Sequence, residues 1–311
     1  MNVSVYLPFL ASLVICLASP VVARRGRPAV TAIVLSAVSV VAAAGSLWAM
    51  ALLAVTGIDD VPALDPRSIV FSVPDPVALV AAVGVLVAAA RMAGTIRRRR
   101  RVHRRVRGAL HGLASGDSDV VVIADLLPDA FVVPGRRTGI LRRQRPQIVV
   151  TNGMLAALDD DQQQALFAHE RAHLDGGHHL LRAAADLAAA ASPLLIPARD
   201  AVGFLCERSA DERAGAAVGS RNLVAAAIAT AALAHGGGSS PKLAAGAALA
   251  TSGAPLAFNG LATVDRVVAL QRPAPTALRL VVVGAILVAV GILAADANAT
   301  GELIASLRAL F

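Results

Sequence analysis

Charge is scarce in this chain. Only 16% of its 311 residues are Asp, Glu, Lys or Arg, against about 25% in an ordinary soluble domain. Lysine is nearly absent, since Lys242 is the only one, and aromatic residues make up 3%. Trp48 and Tyr6 are single aromatics, too few for an interfacial belt. The two cysteines, Cys16 and Cys206, show no C-x-x-C spacing, which supports neither a disulfide framework nor a thiolate zinc site. What fills the chain is Ala, Val and Leu: 56% of residues are hydrophobic and the mean hydropathy is +0.66. That balance excludes a purely soluble protein and points to several membrane spans carrying one domain-sized polar part.

Four apolar stretches are long enough, or nearly so, to cross a bilayer core. They are Val3–Val22, Ala29–Ile58, Val77–Ala90 (extending to Ile96 if Arg91 lies at the interface) and Leu280–Ala295. The first lacks a basic lead-in and a good cleavage site, so it reads as a span rather than a signal peptide. The net charge of +8 is concentrated in Arg97–Arg107, which holds eight arginines. A basic run directly after an apolar segment reads as a topology signal and an anionic-lipid contact, and no direct nucleic-acid binding is expected. With Arg24–Arg27 and Arg97–Arg107 inside and the acidic loop Asp59–Pro76 outside, the N-terminus and tail fall outside and Gly108–Arg279 faces the cytoplasm. The expected organisation is three spans and a basic run over 1–107, a cytoplasmic domain over 108–275, and a fourth span with a short external tail over 276–311. The localisation implied is multi-pass in the plasma (inner) membrane.

Within the polar part, Asp129–Gly135 and Pro146–Leu155 carry β-branched runs around an arginine-rich connector, which predicts a β-hairpin. The next stretch, LDDDQQQALFAHERAHLD, predicts a helix capped by Asp159–Asp161 and stopped by Gly176-Gly177. Further helices are expected over Leu180–Ala198, bent near Pro193 and Pro197, over Asp200–Val218, and on to Leu270 with a break at His235–Pro241.

The chemistry lies in AHERAHLDGGHH, Ala168–His179. His169, Glu170 and His173 form H-E-x-x-H. On a helix, positions i and i+4 share a face, so His169 and His173 can aim two imidazoles at one metal ion. Glu170 sits beside the first ligand, where its carboxylate reaches a water on that metal and serves as general base. A third protein ligand is needed, and His178, His179, Glu207 and Asp211 are the candidates. Gly176 and His179 match the metzincin spacing, but that family's Met-turn cannot follow, because no methionine occurs after Met154. Glu207 and Asp211, again at i and i+4, offer the other solution: Glu207 as ligand, and Asp211 bonded to a ligand histidine from behind. His178 and His179 read as a polar helix start, and Cys206 as a packed helix residue.

HERAH, a gap of about 35 residues, then ERSAD resembles the gluzincin membrane peptidases. The hairpin ending IVVTNGMLAAL before the helix is similar to the same group. Three spans, a zinc domain and a fourth span resemble the BlaR/MecR-type antirepressor metallopeptidases. Only 16 residues follow the fourth span, with no S-x-x-K serine, so the likeness is to short forms without a penicillin-binding sensor. The resemblance implies a mainly α membrane protein: four transmembrane helices and a cytoplasmic gluzincin zinc-peptidase domain with a small β-hairpin or sheet. It further implies Zn2+ on His169, His173 and Glu207, Glu170 as catalytic base, Asp211 behind the ligands, and Arg266 in VDRVVAL ordering the site. The partners it implies are membrane lipid and a protein or peptide substrate, such as a winged-helix repressor. An HtpX-like quality-control protease is the alternative, and a non-catalytic membrane signalling scaffold is the alternative from another class.

Overall fold

The computed structural model describes residues 3–56, 75–110, 119–138, 142–236, 260–272 and 279–310. Most of the acidic loop Asp59–Pro76, the helix break after His235 and the boundary at 275 lie outside the described residues. The architecture is mainly α-helical with a small sheet. A short 3-10 turn at Val3–Tyr6 leads into α1 (Leu7–Arg25), followed by α2 (Pro28–Thr56) and α3 (Asp75–Leu110). Then come β1 (Val120–Ile123), β2 (Ala130–Val133), β3 (Arg136–Thr138), β4 (Arg142–Gln144) and β5 (Gln147–Thr151). Among the described residues, the helices α4 (Asn152–Ala157), α5 (Asp160–Asp175), α6 (His178–Ala191), α7 (Ile196–Ala217), α8 (Arg221–Gly236), α9 (Gly260–Gln271) and α10 (Arg279–Leu310) follow.

Among the described residues, four helices are long and apolar enough to cross a membrane: Ser4–Arg25, Pro28–Val55, Pro76–Leu110 and Val282–Ala305. Their outer faces keep large side chains exposed, such as Leu17, Leu79, Leu86 and Leu287. Two helices run further than expected. The α3 helix continues through the arginine run to Leu110, because arginine is a good helix former and a charge run does not stop a helix. The tail beyond Ala295 is helical to Leu310.

The expected pairing of 129–135 with 146–155 is present: β2 and β5 are antiparallel, with Phe131 opposite Val149. The arginine-rich connector forms a second ribbon, β3 with β4. A strand the sequence reading did not include, β1, pairs parallel to β5 with Val121 opposite Val149, so the sheet order is β1-β5-β2. The central β5 is the most buried, and β2 is an edge strand.

Helix α5 begins where predicted. The Asp159 side chain accepts from the Gln162 amide at 2.8 Å, and Asp160 and Asp161 follow in its first turn. One flank packs Leu166 and Phe167 on the sheet, and Ala165 meets Ala214 and Val224 of α7 and α8. The predicted Leu180–Ala198 helix instead ends at Ala191. Pro193 cannot donate to a continuing ladder, so a 3-10 turn at Pro193–Leu195 reverses the chain, and Pro197 sits in the first turn of α7. The resulting α6–α7 hairpin packs directly on the membrane helices. Ala185, Ala188, Ala198 and Ala201 share one buried cluster with Ile15, Ala32 and Leu35 of α1 and α2. Small side chains let these helix backbones approach closely. The hairpin that carries half of the site is thereby braced by the first two spans.

Candidate metal centre

The structure brings His169, Glu170, His173, Glu207, Asp211 and Arg266 together at the junction of α5, α7 and α9. One turn apart on α5, the two histidines put their Nε2 atoms 3.1 Å from each other. Glu207 comes in from α7, with Oε2 at 3.7 Å from His169 Nε2 and Oε1 at 3.5 Å from His173 Nε2. One donor atom from each of the three lies within 4.8 Å of the others. Two imidazole nitrogens and a carboxylate oxygen on a shared point are the donor set of a catalytic zinc site.

The far side of each histidine is also held. His169 Nδ1 lies 3.0 Å from Asp211 Oδ1, and His173 Nδ1 lies 2.8 Å from His178 Nδ1. When the Nδ1 atoms carry the protons, both Nε2 lone pairs face the common point, which is what a metal requires. The residues therefore fit zinc.

Arginines hold the carboxylates in turn. Arg266 donates through Nε to Asp211 Oδ2 at 2.8 Å and through Nη2 to Asp211 Oδ1 at 2.7 Å. Its Nη1 lies 3.2 Å from Glu207 Oε2. Arg182 on α6 donates to Glu207 Oε1 at 2.6 Å and to the Gly203 carbonyl at 3.2 Å. Burial pushes the Glu207 carboxyl up, but His173, Arg266 and Arg182 outweigh it and hold it well below the usual carboxylate range. Asp211 follows the same balance: burial raises it, and Arg266 and His169 bring it lower. Both stay ionised around the ligand point.

Glu170 is buried, and burial, with Glu207 and Asp129 nearby, raises its carboxyl to about 7 despite His169 and Arg266. A base suited to neutral pH needs a value of that kind. For His169, burial lowers the proton affinity, but the Asp211 and Glu207 carboxylates reverse this and raise it to about 10. The same negative field favours a cation on the ring, and a metal ion at Nε2 would take the place of the second proton.

Three neighbours were missed or misjudged by sequence reasoning. His178 begins α6, the polar helix start expected there, but it is buried against His173 and takes part in the site. Burial lowers it to about 4, so it is neutral and can accept the His173 proton. The turn that returns it has Gly177 in the left-handed region at φ 59. At Gly176 a side chain would clash, since a Cβ would lie 2.5 Å from His178 Nε2. Arg182 lies one turn after His178 on the same face of α6, a spacing that could have flagged it. Asp129, just before β2, lies in the same cleft, and burial raises it to about 6. Cys206 is fully buried and its thiol is pushed up to about 11 by that burial, which leaves it chemically inert.

The ligand point opens into a cleft of about 190 Å³. One wall is Asp129 with Ala130–Val132 of the edge strand, apolar side chains such as Met154, Leu166 and Ile228 form another, and the polar groups of the site, with His179, His235 and Thr263, line the remainder.

A sequence model of peptidase family M48 matches residues 96–240, a stretch holding β1 to β5, α5, His169, Glu170, His173, Glu207 and Asp211. No curated protein and no solved structure matches the chain. The family match and the four apolar helices together support a membrane peptidase of the metal-dependent kind. The match does not single out the BlaR/MecR type.

Proposed function

We propose that this protein is an integral membrane zinc endopeptidase that hydrolyses peptide bonds in a protein substrate. The observation that carries the reading is the convergence of His169 Nε2, His173 Nε2 and Glu207 on one point, beside a buried Glu170 raised to about 7. When bound there, zinc supplies Lewis acidity toward a peptide carbonyl and makes water acidic enough to react near neutral pH. Glu170 takes the proton from the attacking water and gives it to the leaving amine. Asp211 and His178 keep the two histidines in the Nδ1–H form. Arg266 and Arg182 hold Glu207 in place.

The substrate fits as an extended strand. Among the described residues, β2 pairs only with β5, so its second edge carries no strand, and β2 lines the cleft. An extended peptide can pair with such an edge while apolar side chains enter the pocket. The substrate is thus a protein segment that is unfolded or locally opened: a repressor in a signalling response, or a damaged membrane protein. The basic run and the acidic loop favour a cytoplasmic site in a plasma membrane protein.

The test is cleavage by the purified full chain in detergent, with casein and a winged-helix repressor offered separately. Chelation should abolish cleavage and added zinc should restore it. Cleavage of casein alone favours quality control, and single-site cleavage of the repressor favours signalling. Zinc binding without cleavage of any protein would make the chain a scaffold and sink the proposal. A reporter fused after Phe311 should be read on the external side; a cytoplasmic signal would overturn the orientation.

A further inference from the structure

A second cleft, of about 310 Å³, lies between α3 and the tip of the α6–α7 hairpin, away from the metal centre. We propose that it binds the anionic headgroup of a glycerophospholipid, with an acyl chain lying along α3 below it.

The α3 wall is made by Arg91, Gly94 and Arg98, spaced i, i+3 and i+7 on one helical face. Arg91 is fixed in place. Its Nε donates to the Ala190 carbonyl at 3.0 Å and its Nη2 to the Ala189 carbonyl at 3.4 Å, at the C-terminal end of α6. Among the described residues, its Nη1 meets no acceptor. At Gly94, a Cβ would meet nothing within 4 Å among the described residues, so the space beside it is open to them. Arg199 of α7 faces these from the other wall; its Nε and Nη2 engage Asp200 at 2.9 and 2.7 Å. The acidic residue in the wall, Asp186, is met from the side by Arg99 at 3.2 Å. The cleft is therefore net basic, and guanidinium groups suit the oxygens of a phosphodiester.

A free anion needs only such a cleft. This one continues into an apolar surface of the right length for a lipid. Val80, Val83 and Val87 lie on the same face of α3 as Arg91 and are 71%, 49% and 50% exposed. From Val80 to Arg91 the helix rises roughly 16 Å, close to the length of an acyl chain. Basic groups at the end of an apolar span match a phospholipid whose phosphate sits at the interface. Neither a nucleic acid nor inorganic phosphate would use the valine stripe.

The test is native mass spectrometry of the full chain in mixed micelles containing phosphatidylglycerol or phosphatidylcholine, with inorganic phosphate added alone as a third arm. Wild type should retain phosphatidylglycerol over phosphatidylcholine. The double variant Arg98→Gln/Arg199→Gln should weaken that retention by about tenfold or more. Gly94→Leu, which keeps every charge and fills the open space, should weaken it as well. Arg24→Gln/Arg25→Gln removes equal charge at the exposed end of α1 and should leave it unchanged. Melting temperatures identify a variant that has lost its fold, and the remaining variant then decides. Equal retention of the two lipids, a control that loses as much as the cleft variants, or inorganic phosphate stabilising the protein as well as phosphatidylglycerol would each overturn the proposal.

Discussion

Replacing Arg266 with methionine removes a guanidinium and keeps most of the side chain's volume. Asp211, 1% exposed, would lose two charge-assisted hydrogen bonds, at 2.8 and 2.7 Å, and Glu207 would lose a contact at 3.2 Å. Each such bond is worth about 1.5–3 kcal/mol. Removing one partner of a buried ion pair costs about 3–5 kcal/mol, mostly because the other charge stays buried without compensation. Arg266→Met should therefore destabilise the metal-free protein by about 3–5 kcal/mol, measured by equilibrium unfolding in micelles. Much of that cost belongs to the stranded carboxylate, so adding Asp211→Asn should give part of it back. The double variant should be more stable than the sum of the singles by at least about 1.5 kcal/mol. Additivity within about 0.5 kcal/mol would refute the account of Arg266 as the counterion of Asp211.

Other outcomes follow from the same geometry. His178→Ala should lower zinc affinity by about 10–100-fold, because it frees His173 Nδ1. His178→Asn, which keeps an acceptor, should recover part of it, and equal affinities in all three proteins would discredit the orienting role. Asp129 has a carboxyl raised from 3.8 to about 6 by burial, so the folded state holds its proton more tightly than the unfolded state. Its contribution to stability is complete below pH about 4 and is lost as pH rises through about 6, a loss of up to about 3 kcal/mol. Asp129→Asn should remove that pH dependence and be the more stable protein at pH 8; parallel stability curves would contradict it.

Local signals made part of this molecule legible in advance. The Asp159 cap, the i and i+4 histidines, and the β-branched runs around the arginine-rich connector all act within a few residues of where they are read. The long apolar runs are legible for the same reason. What escaped depends on distant partners. β1 is only four residues long, and its register comes from β5, more than twenty residues later. The α6–α7 hairpin is alanine-rich, and alanine does not reveal whether a helix faces solvent or another helix. Its packing on α1 and α2 shows only once the spans are in place. Arg182 and His178 look like ordinary surface residues until the turn at Gly177 brings α6 back over α5.

Glu170 is proposed to move protons at a zinc site built by His169, His173 and Glu207. The most direct measurement is zinc content and cleavage rate of Glu170→Gln beside wild type, in the same micelles and on the same protein substrate. The expected result is unchanged zinc, about one ion per chain, with the rate reduced by about 10²–10⁴-fold. A variant that holds its zinc and cleaves at the wild-type rate would contradict it.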